Sequence, residues 1–339
     1  MNAESRPFDD IRALMGQMPS PNEAAMAEAR TRQTDLTKPA GSLGRLEEIA
    51  IFMAGWQGDR PHVDNPLVAV FAGNHGVVAK GVSPFPQSVT QAMVANFTSG
   101  GAAINQICKA FDISLKIYEL ALEQPTGDIT EEPAMDERTC AGSMAFGMEA
   151  LASEPDLLVL GEMGIGNTTA AAAIYHALYG GAAEDWVGRG TGLDDAGLER
   201  KAEAVHAAVA RHRSQIGDPL DVLARLGGRE IAAIAGAILA ARIRRTPVLL
   251  DGFVVCSAAA ILQALDGTAL DHCLAGHVSA ERAHAAALRH LGKTPILDLG
   301  MRLGEGTGGA LSTAIVKAAV ACHNGMATFA ETGVAGKEG

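Results

Sequence analysis

Six short aliphatic runs, LVAVFA (67–72), ISLKIYE (113–119), LLVL (157–160), PVLLD (247–251), ALDHCLAG (269–276) and PILDLG (295–300), punctuate a chain otherwise rich in alanine. They are too brief for helices and mostly lack a polar face, so they read as buried strands. Between and around them lie Ala-rich stretches with helical spacing, 168–178, 198–212, 230–242, 256–265 and 279–291. Alternation of this kind implies a parallel, doubly wound α/β sheet with helices on both faces. Aromatic residues make up only 4% of the chain against an apolar fraction of 48%, so aliphatic side chains must fill the core. Ligands in such sheets bind beyond the carboxyl ends of the strands.

The first 60 or so residues hold two helical patterns and no strand, with Leu46, Ile49, Met53 and Trp56 on one face of the second. The chain is helical again from Thr307, and neither end can form a core alone. The expectation is a small helical domain built from both termini, residues 1–60 with 310–339, beside a large α/β domain over 61–309. Residues 121–140, rich in Glu, Pro and Thr, read as an exposed connection.

A formal charge of −12 excludes a duplex-binding surface, which needs clustered Lys and Arg, so no nucleic acid partner is expected. An anionic ligand must then be held by local devices against the net field. Cys108, Cys140, Cys256, Cys273 and Cys322 form no C-x-x-C pair and read as buried thiols in a reducing cytoplasm. The opening MNAESRPFDD has no apolar signal core, and no apolar run approaches the roughly 20 residues needed to span a bilayer, so neither export nor membrane insertion is expected.

The sharpest local feature is LLVLGEMGIGNTTAAAAI, where a buried strand ends, Gly161, Gly164 and Gly166 make a turn, and Thr168 and Thr169 open an Ala-rich helix. Converging backbone N–H groups and a helix N-terminus can cradle a phosphate without lysine. The same turn also fits a plain βα connection with a threonine cap.

A second Gly-rich turn, DLGMRLGEGTGGA, spells G-x-G-x-x-G with Gly304, Gly306 and Gly309, but no further strand follows, so a dinucleotide site is rejected. Arg302 beside it is as consistent with a carboxylate or phosphate contact as with a surface loop. Gly292, Lys293 and Thr294 imitate a P-loop ending without the preceding strand. Asp194 or Asp195 is assigned to capping the helix that holds Lys201. The histidines form no H-E-x-x-H and specify no metal site. His75, in a Gly-flanked turn after a buried strand, reads first as a structural hydrogen-bonding residue.

Taken in order, KPAGSLGRLE, FAGNHGV, GVSPFPQSVT, GEMGIGNTT, GGREIAAIAGA, LLDGFV, LGMRLGEGTGG and MATFAETGV closely resemble the nicotinate-nucleotide:dimethylbenzimidazole phosphoribosyltransferase family of cobalamin biosynthesis, from about Lys38 to Val334. The resemblance implies a homodimer with a Rossmann-like sheet, and a reaction between nicotinate mononucleotide and 5,6-dimethylbenzimidazole with no metal or cofactor. It makes Glu331 the general base and points to Ser83, Phe85 and Gln91 for the acceptor ring. For the nucleotide's phosphate and ribose it points to Glu162, Gly164, Gly166, Asn167, Thr168, Thr169 and Lys201, and to Arg302, Gly304, Gly306 and Gly308. Glu162 beside a phosphate is awkward unless it binds ribose hydroxyls or pairs with Lys201, and that pairing is an expectation. The segment departs from the family where a proline would more commonly follow the threonines.

The implied chemistry needs few groups. The pyridinium nitrogen of nicotinate mononucleotide already carries positive charge, so the ring departs neutral, while the attacking benzimidazole's second nitrogen must lose a proton. A carboxylate in an apolar pocket, its pKa moved toward neutrality, can take that proton and offset the charge developing on the ribose. Glu331 is bordered by Phe329, Ala330, Gly333 and Val334, which suits that role. Adenine, another benzimidazole or a phenol remains open as the acceptor. A non-catalytic nucleotide-binding regulator would be expected to lack the base or the Gly-rich turns, and a phosphorylase would need free phosphate.

Overall fold

The computed structural model describes residues 6–334. Three helices come first, α1 (Asp9–Met15), α2 (Glu23–Asp35) and α3 (Arg45–Gln57), then strand β1 (Pro66–Ala72). Helices α4 (Ser88–Ser99) and α5 (Ala103–Phe111) lead to β2 (Ser114–Glu119), and α6 (Glu137–Met148) leads to β3 (Leu157–Met163). A long excursion follows through α7 (Asn167–Tyr179), α8 (Ala183–Trp186), α9 (Asp195–His212), α10 (Pro219–Leu226) and α11 (Arg229–Ile243). The chain then runs through β4 (Val248–Leu250), α12 (Phe253–Leu265), β5 (Cys273–His277), α13 (His284–His290), β6 (Pro295–Leu297), α14 (Thr307–Gly325) and α15 (Phe329–Thr332).

The strands form one six-stranded sheet in the order β2-β1-β3-β4-β5-β6, and every pairing is parallel. All six aliphatic runs contribute a strand, and the α/β class read from their alternation is the fold observed. Strand pleating sends successive side chains to opposite faces. In β1, Leu67, Ala69 and Phe71 enter one apolar cluster while Val68, Val70 and Ala72 enter the other; β3 and β4 divide the same way, Leu158, Leu160, Val248 and Leu250 against Leu157, Val159 and Leu249. One face is covered chiefly by α6, α7 and α9 to α12, the other by α3, α4, α5 and α14.

The helix packing depends on small residues. Along α6 and α11, a Cβ at Gly147 would lie 1.8 Å from the Ala233 carbonyl oxygen and one at Gly236 would lie 1.9 Å from that of Met144, so only glycine allows these backbones so close. Helix starts follow local signals: Asp136 accepts from the Thr139 amide, Asp218 precedes Pro219 in a capping box, and Asp194 accepts from the Gly197 amide at 2.8 Å to start α9, as read from the sequence.

Helices from the two chain ends lie together: α3 packs between α2 and α14, and Leu36 and Thr328 form an antiparallel bridge. The stretch expected as a small domain nevertheless touches the main body directly, because Ile49 and Met53 of α3 and Val316, Ala319 and Val320 of α14 share a cluster with β1 and β3. Phe8, Ile11 and Met15, in and beside an unexpected first helix, join the other cluster.

Residues 121–140 are not simply an exposed connection. Leu122, Ile129, Ala134 and Met135 are buried, and Glu137 onward already belongs to α6. The polar composition hid apolar anchors that dock the loop, and backbone bonds from Ala134 and Met135 to Arg225 and Ala224 hold it. The helix expected over 279–291 begins only at His284, because residues 278–283 turn into a cavity above the sheet. Among the described residues no helix is long and apolar enough to cross a membrane.

Candidate active site

Strand order reverses between β1 and β3, and beyond the carboxyl ends of the strands at this point the connections enclose a cavity of about 490 Å³. Two Gly-rich turns form its base. They abut through glycine, since a Cβ on Gly161 would lie 2.5 Å from the Gly306 amide nitrogen. This contact brings the N-termini of α7 and α14 side by side.

At the first turn, α7 has no side-chain cap; the Asn167 and Thr169 amides bond the Gly164 and Gly166 carbonyls, and the partial positive charge of the helix start faces the cavity lined by Gly164, Gly166, Asn167 and Thr168. The Ile165 amide is taken by Thr90 at 3.1 Å, and the Asn167 amide group donates to the Glu162 carboxylate. Behind Thr168, the buried Lys201 donates to its Oγ1 at 2.7 Å and to the Gly188 carbonyl at 3.1 Å. Burial pushes the Lys201 ammonium down to about 8, opposed by the negative charge of Glu281.

The second turn is differently wired. Asp251, fully buried after β4, accepts from the Gly306 amide at 3.1 Å and the Gly309 amide at 2.8 Å, closing the N-terminus of α14, and His277 lies 3.4 Å from the same carboxylate. Burial raises the Asp251 carboxyl while His277 and the amides oppose it. Glu305, at a φ of 62°, projects a buried carboxyl into the cavity wall. Burial and then Asp251 push it up to about 7; burial and then Asp251 push Glu162 up to about 8. Arg302 donates to the Gly190 carbonyl at 3.1 Å, tying the two loops across the opening.

The opposite wall is largely apolar, made by Val82, Phe85, Val89 and Met93. Ser83 Oγ lies 3.3 Å from Thr191 Oγ1 and accepts from the Phe85 amide. Phe85 and Leu303 remain 45% and 56% exposed at the rim, an apolar edge with nothing over it in the single chain. Among the described residues no group of three or more His, Cys, Asp or Glu side chains is disposed to hold a metal ion.

Of the residues expected from the sequence, Ser83, Phe85, Glu162, Gly164, Gly166, Asn167, Thr168, Arg302 and Gly304 line this one cavity. Lys201 stands behind it, and Thr169 is buried inside α7. Gly306 and Gly308 lie beneath the wall: the Gly306 amide is bonded to Asp251, and the His277 ring packs where a Gly308 side chain would be. Gln91 is exposed on α4 and does not line the cavity; Gln87, at the end of GVSPFPQ, instead donates to the His75 carbonyl at 2.6 Å. His75 is buried, with Nε2 2.6 Å from Glu230, a structural pairing as first read.

Beyond Gln91, two further expectations are corrected. Glu162 does not pair with Lys201, because Asn167 bonds the carboxylate while Thr168 and Gly188 take the ammonium. Glu331 is not in an apolar pocket of its own chain: it is exposed on α15 in a capping box, where the Thr328 amide and hydroxyl hold its carboxyl below the usual range. A short terminal helix beside α2 offers nothing to bury it.

Sequence reasoning missed Asp251, His277, Ser279, Glu281 and Glu305. Each follows a strand end or sits in a recognised Gly-rich turn, which was the available signal; for Asp251 the motif LLDGFV carried it.

The family described as phosphoribosyltransferase (DBI_PRT) matches residues 18–334. A protein of Methylocella silvestris named nicotinate-nucleotide–dimethylbenzimidazole phosphoribosyltransferase is 66% identical over 340 residues, covering 100% of both chains. One of the same name from Rhizobium etli is 63% identical, covering 99% of this chain and 100% of its own. The crystal structure of CobT from Thermus thermophilus superposes with a TM-score of 0.87 at 41% identity, covering 93% of this chain and 100% of that one.

Proposed function

This chain belongs to the nicotinate-nucleotide–dimethylbenzimidazole phosphoribosyltransferase family, and on that premise we propose how its cavity divides the reaction. The enzyme transfers the phosphoribosyl group of nicotinate mononucleotide to 5,6-dimethylbenzimidazole, giving alpha-ribazole 5′-phosphate and nicotinate for the lower ligand of cobalamin. The substrate phosphate binds at the uncapped N-terminus of α7, against Gly166 and Thr168, with Lys201 supplying charge through the Thr168 hydroxyl. It does not bind at α14, whose amides Asp251 already occupies. The acceptor ring lies on Val82, Phe85, Val89 and Met93.

The ribose C1–pyridinium bond breaks and its electron pair returns to the ring, which leaves neutral at nitrogen. A benzimidazole nitrogen forms the new bond at C1, and its second nitrogen gives up a proton. Glu331 takes that proton. Because Glu331 is exposed in its own chain and the cavity rim is apolar, the working unit is a homodimer in which Glu331 of the partner subunit reaches the cavity mouth, where burial would raise its carboxyl toward neutrality. The enzyme is assigned to the cytoplasm.

The observation that carries this reading is the convergence of residues from five separate stretches, Ser83 and Phe85, Glu162 to Thr168, Gly190 and Thr191, Gly252, and Arg302 to Glu305, on one cavity. Mass spectrometry of metal-free reactions with the two substrates tests it. Wild type should release nicotinate and form the riboside phosphate, and Glu331→Ala should lose at least about 100-fold of the rate, the usual worth of a general base. No product with 5,6-dimethylbenzimidazole, adenine or a phenol would remove the assignment.

A further inference from the structure

We propose that His75, locked to Glu230 and holding Gln87, is a positioning residue for the transfer: it fixes the acceptor wall against the first Gly-rich turn and so sets where the two substrates meet. This rests on the substrate reading above. His75 follows the end of β1, at the point where strand order reverses. Its carbonyl accepts from the Gln87 side chain at 2.6 Å, and Gln87 lies in sequence between Phe85 and Val89 of the acceptor wall. The other neighbours of this segment belong to the nucleotide's turn. A Cβ on Gly166 would lie 3.2 Å from the His75 Cβ, and one on Gly164 would lie 2.6 Å from the Gly73 carbonyl oxygen. From the acceptor side, the buried Thr90 accepts from the Ile165 amide at 3.1 Å, a second tie between the same two parts.

The imidazole anchors this junction. His75 Nε2 donates to a carboxylate oxygen of Glu230, at the start of α11, and the two residues are 1% and 0% exposed. Backbone closes around the pair: a Cβ on Gly73 would lie 2.3 Å from Glu230 Oε2, and one on Gly228 would lie 2.3 Å from His75 Cε1. His75 Nδ1 and Glu230 Oε2 have no partner. A buried polar pair satisfied on one side only is a poor source of stability beside well-packed apolar groups of the same volume. What it does supply is direction. With its ring held from α11, His75 cannot slide along the turn, and its carbonyl stays aimed at Gln87. Neither His75 nor Glu230 lines the cavity, so their effect on the reaction passes through position alone. Transfer needs the attacking nitrogen about 3–3.5 Å from ribose C1 and in line with the breaking bond, and a misplacement of about 1 Å costs on the order of 100-fold in rate. Because acceptor and nucleotide bind different walls, the spacing between those walls is what aligns them.

Single-turnover rates of the full-length enzyme with nicotinate mononucleotide and 5,6-dimethylbenzimidazole both saturating, beside the Kd of each substrate alone by calorimetry and a thermal melt, separate alignment from binding and folding. Gln87→Leu removes the tie at a half-buried site. It should melt like wild type, bind each substrate within about 2-fold of wild type, and turn over about 10-fold more slowly. Glu230→Gln keeps an acceptor for His75 and should stay within about 3-fold of the wild-type rate, whereas Glu230→Leu should lose about 100-fold per folded molecule. A wild-type single-turnover rate in Gln87→Leu would overturn the brace while leaving the substrate assignment standing. A loss confined to substrate affinity, or equal losses in Glu230→Gln and Glu230→Leu, would do the same. If Glu230→Leu does not fold, Gln87→Leu and Glu230→Gln decide the matter by themselves. Absence of product from wild type would overturn both the brace and the substrate reading.

Discussion

Lys201 donates its ammonium to Thr168 Oγ1 at 2.7 Å and so delivers positive charge to the start of α7 while lying behind the cavity wall. Its buried position lowers the ammonium to about 8 from an ordinary 10.5. Affinity for nicotinate mononucleotide should therefore decline as pH rises through about 8, and a pH series of Kd values would show it. Lys201→Met should bind the nucleotide at least about 10-fold more weakly and show no such decline. Stability carries the opposite sign. The folded chain binds fewer protons than the unfolded chain between about 8 and 10.5, so wild type gains stability relative to Lys201→Met as pH rises through that window. Urea unfolding of both proteins at pH 7 and pH 10 tests this.

Gly161 decides whether the two turns can touch. Gly161→Ala places a methyl carbon 2.5 Å from the Gly306 nitrogen and 2.7 Å from its Cα, both backbone atoms that cannot rotate away. The expected cost is about 1–3 kcal/mol of overpacking. Because the strain falls on the base of the cavity, kcat/KM should drop more than the loss of folded protein explains. Activity measured per folded molecule, beside a thermal melt, separates the two effects. An alanine variant with wild-type melting temperature and activity would show that the turns are not held in register by this contact.

Glu331 lies outside the cavity of its own chain, and its exposed capping box makes Glu331→Gln a small change to the fold. The variant should melt like wild type and be nearly inactive. Mixing it, after dissociation and reassociation, with Lys201→Met, assayed at a nicotinate mononucleotide concentration too low for that variant to bind, provides a test of site sharing. If each site draws Glu331 from one subunit and Lys201 from the other, half the dimers are mixed and one of their two sites is intact, so activity should return to about a quarter of wild type. Return of no activity, with exchange verified by native mass spectrometry, would place Glu331 and Lys201 of one site on the same chain.

The fold was legible because it rests on local patterns. The six aliphatic runs mark six strands, the alanine stretches mark the covering helices, and Asp194 announces the start of α9. Much of the cavity was legible for a related reason: Gly164, Gly166, Asn167 and Thr168 sit where a strand gives way to a helix, and a parallel sheet must bring such turns to one edge. Buried pairings were not legible. Nothing in the spacing of Lys201 distinguishes a solvated helix-surface lysine from one buried against Thr168, nor says that Asn167 rather than Lys201 meets Glu162.

The sequence alone determined the parallel sheet, its two covering layers and the edge at which the cavity opens, since these follow from hydrophobic period, caps and turns within a few residues of each other. Only the tertiary structure decided that Asp251 closes α14 and leaves α7 uncapped, that Glu305 joins Glu162 in one desolvated wall, and that Glu331 faces solvent. Those outcomes depend on which distant turns meet and how much water their contact removes, and an electrostatic balance set by desolvation has no signature in the order of residues along a chain.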